Sequence, residues 1–165
     1  TLELASTKKS YPSSDFGSFE LFVEDGEIFI SDLEVDVIQS TTDKVELKLR
    51  KQAKGTNRKE ASERAENILL EYVVEDSKLM IDPFISVPYE DGYRAQDLNI
   101  SIALPVGKTI YLTPSSRDII YDIENVTNTH DTKRMGHHWL MTEDGLKCTD
   151  CPWLYEEEEE EDDGD

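Results

Sequence analysis

Leu98–Val126 reads LNISIALPVGKTIYLTPSSRDIIYDIENV. Leu98, Ile100, Ile102 and Leu104 alternate with Asn99, Ser101 and Ala103, and Ile110 and Leu112 resume the alternation after Pro105-Val106-Gly107. Apolar residues at every second position, set between turn formers, give an extended chain one greasy and one wet face. The stretch predicts short, half-buried β-strands and displays no reaction centre.

The same grammar runs outward from it. Toward the N-terminus, Phe16, Phe19, Leu21 and Val23 lead to Glu24-Asp25-Gly26. Gly accepts positive φ there, so the segment predicts a short hairpin turn. Ile28, Ile30, Leu33, Val35 and Val37 follow, and Val45, Leu47 and Leu49 then alternate with Glu46, Lys48 and Arg50. Further strands are expected over Ile68–Val74, Lys78–Ile81, Phe84–Val87, Asn99–Leu104, Thr109–Leu112, Asp118–Tyr121 and Trp139–Met141. Lys51–Glu66 breaks the pattern with a polar run rich in helix formers, which predicts a loop and at most one short helix near Glu60–Ile68.

The fold class is therefore all-β, and strands spaced about ten residues apart suit a sandwich, a barrel or an irregular stacked solenoid. The expected core is Phe19, Leu21, Ile28, Ile30, Val35, Val37, Leu47, Leu49, Leu70, Tyr72, Leu98, Ile100, Ile102, Leu104, Ile110, Leu112, Ile120 and Trp139. Residues 1–15 read as a Ser/Thr/Lys-rich lead-in, residues 16–155 as one β-rich domain, and Glu156–Asp165 as a disordered acidic tail that can bury nothing.

Charge narrows the partners. The 165 residues hold 37 acidic against 17 basic side chains, a net −20. Without the nine carboxylates of Glu156–Asp165 the balance is still 28 against 17. Such a surface repels phosphate backbones and anionic bilayers, so neither nucleic acid nor a bare membrane is an expected partner. Any membrane attachment would come from a segment absent from this chain, which starts at Thr1 without a Met and reads as a piece of a longer protein.

Four features invite chemistry. Gly107-Lys108-Thr109 looks like the end of a phosphate loop, but Ile102 stands where that loop needs Gly and no helix is expected after it. An ordinary β-turn is the better reading. Cys148-Thr149-Asp150-Cys151 is a CxxC pair with His130, His137 and His138 upstream. Two thiolates and two imidazoles make a tetrahedral zinc set, and adjacent strand residues face opposite ways, so only one of His137 and His138 would serve. There is no second CxxC, and Pro152 rather than a helix follows this one, so neither a standard finger nor a redox enzyme is matched. The sequence therefore assigns no metal. Cys148, Cys151, His137 and His130 are the ligands to watch, and a free or simply disulfide-bonded pair leads. The carboxylate pairs Glu34/Asp36, Asp118/Asp122 and Glu143/Asp144 lack a His, Ser or Cys partner at a telling spacing. Trp139 and Trp153 read as packing residues. No cofactor and no catalytic residue is expected, and the chain does not read as an enzyme.

Three segments in order carry a resemblance. They are Tyr93-Arg94-Ala95-Gln96-Asp97-Leu98 running into Leu104-Pro105-Val106-Gly107-Lys108-Thr109, then Asp122-Ile123-Glu124-Asn125-Val126-Thr127-Asn128, then Trp139-Leu140-Met141-Thr142 with Gly145-Leu146-Lys147-Cys148. This order resembles the C-terminal soluble domain of membrane-anchored phage-shock-protein-C (PspC) proteins of the Bacteroides group. The likeness covers roughly residues 16–151. It implies a toast-rack domain of stacked β-sheet layers, on a membrane-anchored parent that senses or buffers envelope stress. It also implies a periplasmic placement, the cytoplasmic face being the other one, and it brings no catalytic residues.

The function expected is thus a non-enzymatic scaffold that binds a protein partner, or a second copy, through a sheet face or edge. The rivals are a zinc or redox protein built on His130, His137, His138, Cys148 and Cys151, and an adhesin-like surface domain.

Overall fold

A computed structural model describes residues 1–7, 14–15, 19–120, 122–128 and 131–156. Its strands are β1 (Leu2–Ser6), β2 (Ser14–Asp15), β3 (Glu20–Glu24), β4 (Glu27–Ile30), β5 (Leu33–Gln39) and β6 (Glu46–Gln52). β7 (Leu69–Glu75), β8 (Lys78–Pro88), β9 (Asp97–Leu104), β10 (Thr109–Leu112), β11 (His137–Thr142) and β12 (Gly145–Cys148) complete them. Nine form one sheet, in the order β12-β11-β10-β1-β8-β4-β3-β2 with β7 also on β8, and β5-β9-β6 form a second. The chain is all-β, as its alternation predicts.

The two sheets share one core. From the smaller sheet come Val35, Val37, Leu98, Ile100, Ile102 and Leu104, every second residue of two parallel strands. From the larger come Leu4, Ile30, Ile81, Ile85, Ile110, Leu112 and Trp139, all at most 1% exposed. The hairpin at Asp25-Gly26 joins β3 to β4 with both residues at positive φ, +49° and +77°, the turn whose twist matches paired strands.

β8 organises the larger sheet. Lys78–Ile81 pairs in parallel with β1, and Ile85–Pro88 pairs antiparallel with β4 on the same edge. β7 covers the opposite edge, with its register shifted between Leu70 and Tyr72. Pro83, which has no N–H to donate, falls at the hand-over from β1 to β4 and opposite that shift. Lys78–Ile81 and Phe84–Val87, which read as two strands, are therefore one.

Several expectations are corrected. Leu2–Ser6, read as part of a lead-in, is a central strand parallel to both β8 and β10. Five residues are too few to show a period, and the partners that bury them lie far along the chain. Asp118–Tyr121 is not a strand among the residues described. Pro114–Asp118 is a 3₁₀ turn in which the buried Ser116 hydroxyl donates to the Thr113 carbonyl at 2.6 Å, and Ile119 and Ile120 reach the core from the loop after it. Leu49 and Tyr72 are 41% and 45% exposed. Each lies opposite a buried residue, Ile100 and Ile81, so the core ends one strand short of it.

The helix α1 (Arg58–Glu66) starts earlier than the composition suggests, because Asn57 caps it by accepting from the Glu60 N–H at 2.9 Å. Two single turns, α2 (Asp131–Arg134) and α3 (Trp153–Glu156), add to the one expected helix. Phe16, Tyr121, His130 and 157–165 of the acidic tail lie outside the described residues, while Glu156 closes α3. Among the described residues no helix is long and apolar enough to cross a membrane.

Candidate functional site

β7 is hydrogen-bonded to β8 along one edge, and among the described residues no strand pairs with the other. Leu70, Tyr72 and Val74 lie opposite Ile85, Ile81 and Leu79, so they continue a buried row of β8 outward. Leu69 and Val73 occupy the other face. Val74 is 62% and Leu69 55% exposed, and Tyr72 and Val73 are exposed as well. A strand that is greasy on both faces and free along one edge is what folded proteins otherwise avoid with Lys, Pro or a cover.

A groove of about 430 Å³ opens beside it. Val45 and Leu47 come to it from the β6 side, Val74 from β7, Leu79 from β8, and Ile102 and Leu104 from β9. Glu46, Asp76 and Lys108 supply its charged lining. Lys108 belongs to the GKT segment, and the structure places that segment in a turn between β9 and β10. Its N–H donates to the Pro105 carbonyl at 3.0 Å, and Gly107 sits at φ +86°. Strands flank the turn on both sides, so no helix terminus is available to hold phosphate.

The second cluster lies at the far end of the larger sheet. Cys148 and Cys151 form a disulfide with Cα atoms 5.8 Å apart. Both are buried. The β11–β12 register sets Trp139 opposite Cys148, so His137, two residues away, shares their face. Its Nδ1 is 3.3 Å from an Asp150 carboxylate oxygen, and its ring meets Trp153 edge-on at 5.0 Å. His138 points the other way and stacks on Tyr111, with ring centroids 4.6 Å apart. It still holds Asp150 from its own side. The His138 backbone N–H donates to Oδ1 at 2.9 Å, and its Nδ1 lies 2.7 Å from Oδ2. Burial pushes the Asp150 carboxyl upward, but the His138 ring, the His138 N–H and the nearby His137 outweigh it and leave its pKa below the ordinary carboxylate range.

Of the sequence's ligands to watch, His137, Cys148 and Cys151 do meet. His130 lies outside the described residues. The residue that sequence reasoning missed is Asp150. Its signal was available: it sits inside the CxxC loop, two residues after Cys148, where a hairpin partner of Trp139 carries it to the His137 side.

Glu34, Asp36 and Asp122 line a recess of about 180 Å³. Burial raises the Asp36 pKa, the Val37 N–H opposes it, and Glu124, Asp122 and Glu34 raise it further. At the start of β5 and β9, Asp32 and Asp97 stand side by side and both are raised, burial being the largest cause for each.

A family model for the toast-rack domain found in some PspC proteins, of the C-terminal type, matches residues 23–154. No curated protein and no solved structure matches the chain. The matched stretch takes in β4 to β12, which supply most of the shared core, together with the surface helix α1, and it omits β1, whose Leu4 is also buried. It points to an accessory domain of a membrane-anchored parent. With four-fifths of its length covered by that match, this chain belongs to the toast-rack family found in some PspC proteins.

Proposed function

We propose that this domain is a non-enzymatic protein-binding module of a PspC-type envelope-stress protein, standing on the periplasmic side of a bacterial membrane. It works by adding an extended segment of a partner to the free edge of β7, with the partner's side chains reaching the neighbouring groove. The observation that supports this reading is β7 itself, whose outer edge no strand pairs with among the described residues and which carries Leu69, Tyr72, Val73 and Val74 in the open. Main-chain hydrogen bonds along such an edge supply affinity, and pockets beside it supply selectivity.

Charge selects the partner's chemistry. At net −20 the domain attracts an apolar segment that carries Lys or Arg and repels an acidic one. A second copy is the poorer occupant, since it brings the same −20.

The experiment is site-specific photo-crosslinking in cells that carry the membrane-anchored parent. A crosslinking residue is placed at Val74, at Leu69, or at Lys147 on the distant β12. A discrete protein adduct from Val74 and Leu69, lost when Tyr72→Lys is added and absent from Lys147, is the expected result. Equal adducts from all three positions, or none from β7, would sink the reading.

A further inference from the structure

Reduction would change what the cystine corner can hold. One ligand atom each from His137, Cys148, Asp150 and Cys151 all lie within 4.8 Å of one another. Nitrogen, oxygen and two sulfurs form a set that Zn²⁺ takes in tetrahedral sites, at about 2.3 Å to sulfur and 2.0–2.2 Å to nitrogen or oxygen. Donors around such an ion stand about 3.3–3.8 Å apart, so side-chain adjustment alone closes the cluster onto a metal. Thiolate and imidazole together favour zinc over the hard cations that an acidic protein meets.

The arrangement is built rather than accidental. β11 delivers His137 and β12 delivers Cys148 through one antiparallel register. His138, from the opposite face of β11, grips Asp150 by its backbone N–H and its ring. In a metal-bound state one carboxylate oxygen turns to the ion while the other keeps its His138 contact, the kind of outer partner that fixes ligating carboxylates. Trp153 closes over His137 from the C-terminal side.

We propose that the Cys148–Cys151 pair is the gate of a redox-controlled zinc site, closed as the disulfide and opened by a dithiol reductant. The S–S bond breaks by exchange, the reductant's two thiols supply two electrons and two protons, and the reductant leaves as its own disulfide. Binding of Zn²⁺ then releases the two thiol protons as His137, Cys148, Asp150 and Cys151 close around the ion. Both sulfurs are buried, so exchange starts with lifting of the chain beyond Cys148, which the Thr149 N–H ties to the His138 carbonyl at 2.9 Å. The two states exclude each other, and the corner reports whether its surroundings are oxidising or reducing. This inference stands apart from partner binding at β7.

The test uses the full chain in two forms: oxidised, and reduced with dithiothreitol and then desalted without oxygen. Each is titrated with Zn²⁺ by calorimetry and with Co²⁺ by absorption. The reduced chain is expected to take one ion, with cobalt–thiolate charge transfer and the visible bands of a tetrahedral site, and the oxidised chain none at this site. His137→Ala and Asp150→Asn each lower the reduced chain's affinity by at least about tenfold, while Asp150→Glu, which keeps the carboxylate, recovers most of it. Circular dichroism of the oxidised variants shows that their fold is kept. Failure of the reduced chain to bind, equal binding by the oxidised chain, or unchanged affinity in both His137→Ala and Asp150→Asn overturns the proposal. The last outcome would leave only a two-sulfur chelate.

Discussion

Asp32 and Asp97 occupy equivalent places just before Leu33 and at the head of β9, where the parallel register sets Leu33 opposite Leu98. Burial, then Asp97, then Glu34 raise the Asp32 pKa above its ordinary value. A raised carboxyl favours the fold while protonated. Its contribution is full below about pH 4, the unfolded value, and is lost as pH climbs through the folded pKa. Asp32→Asn should therefore be more stable than the parent at pH 7, by well under 1 kcal/mol because the site is partly solvated. The gain should vanish near pH 3.5. Urea midpoints at the two pH values check this, and a pH-independent difference would refute the assignment. The cystine allows a second prediction at this scale. A loop this short restricts the unfolded chain little, so Cys148→Ser with Cys151→Ser should cost about 2 kcal/mol and leave the strands intact. Loss of the native circular dichroism at room temperature would mean that the bond organises the sheet end instead of tying it off.

Among the elements, α1 and β7 show how little local propensity says about rank in the fold. α1 buries none of its residues. Asn57 accepts from Glu60, Glu60 in turn accepts from the Thr56 N–H at 2.7 Å, and Arg64 pairs with Glu60 one turn on. These contacts keep the helix in place from its own surface. Asn57→Ala should weaken α1 by about 1 kcal/mol. Hydrogen exchange should register that loss across Arg58–Glu66 while β9 keeps its protection, since helix opening exposes no core. Equal loss in β9 would show that α1 is coupled to the sheet. β7 has the stronger strand sequence and the weaker burial. It hangs beyond the core that β8 completes, and that leaves an exposed strand where periodicity alone predicts core.

Over the whole molecule, charge acts at the longest range. Residues 157–165 add like charges to a body that is already negative, and their repulsion reaches about 8 Å at physiological salt. Removing them should leave the melting temperature unchanged or slightly higher at physiological salt, and higher still when salt is lowered. A fall of several degrees would show instead that the acidic segment packs on the body.

Alternation by itself determined the all-β class, the strands from Leu33 to Leu112, most of the buried rows, and the turn that disarms GKT. Those are local properties, carried by residues two apart on one chain and by Gly or Pro between them. The resemblance of the three quoted segments placed the chain in its family. Tertiary structure alone decided which strands have two neighbours. Leu2–Ser6 is central because β8 and β10, 70 and more residues away, close on both its edges. Leu49, Tyr72 and Val74 are exposed although their pattern is that of buried residues. Val35 and Val37 are buried on β5, a strand that also pairs on one side alone among the described residues, so what covers a face and not its period decides. Strand pairing also set His137 on the face of Cys148 and His138 against Tyr111, with Asp150 reached by both rings, since the face a side chain takes is local but what waits on that face is set by the strand across from it.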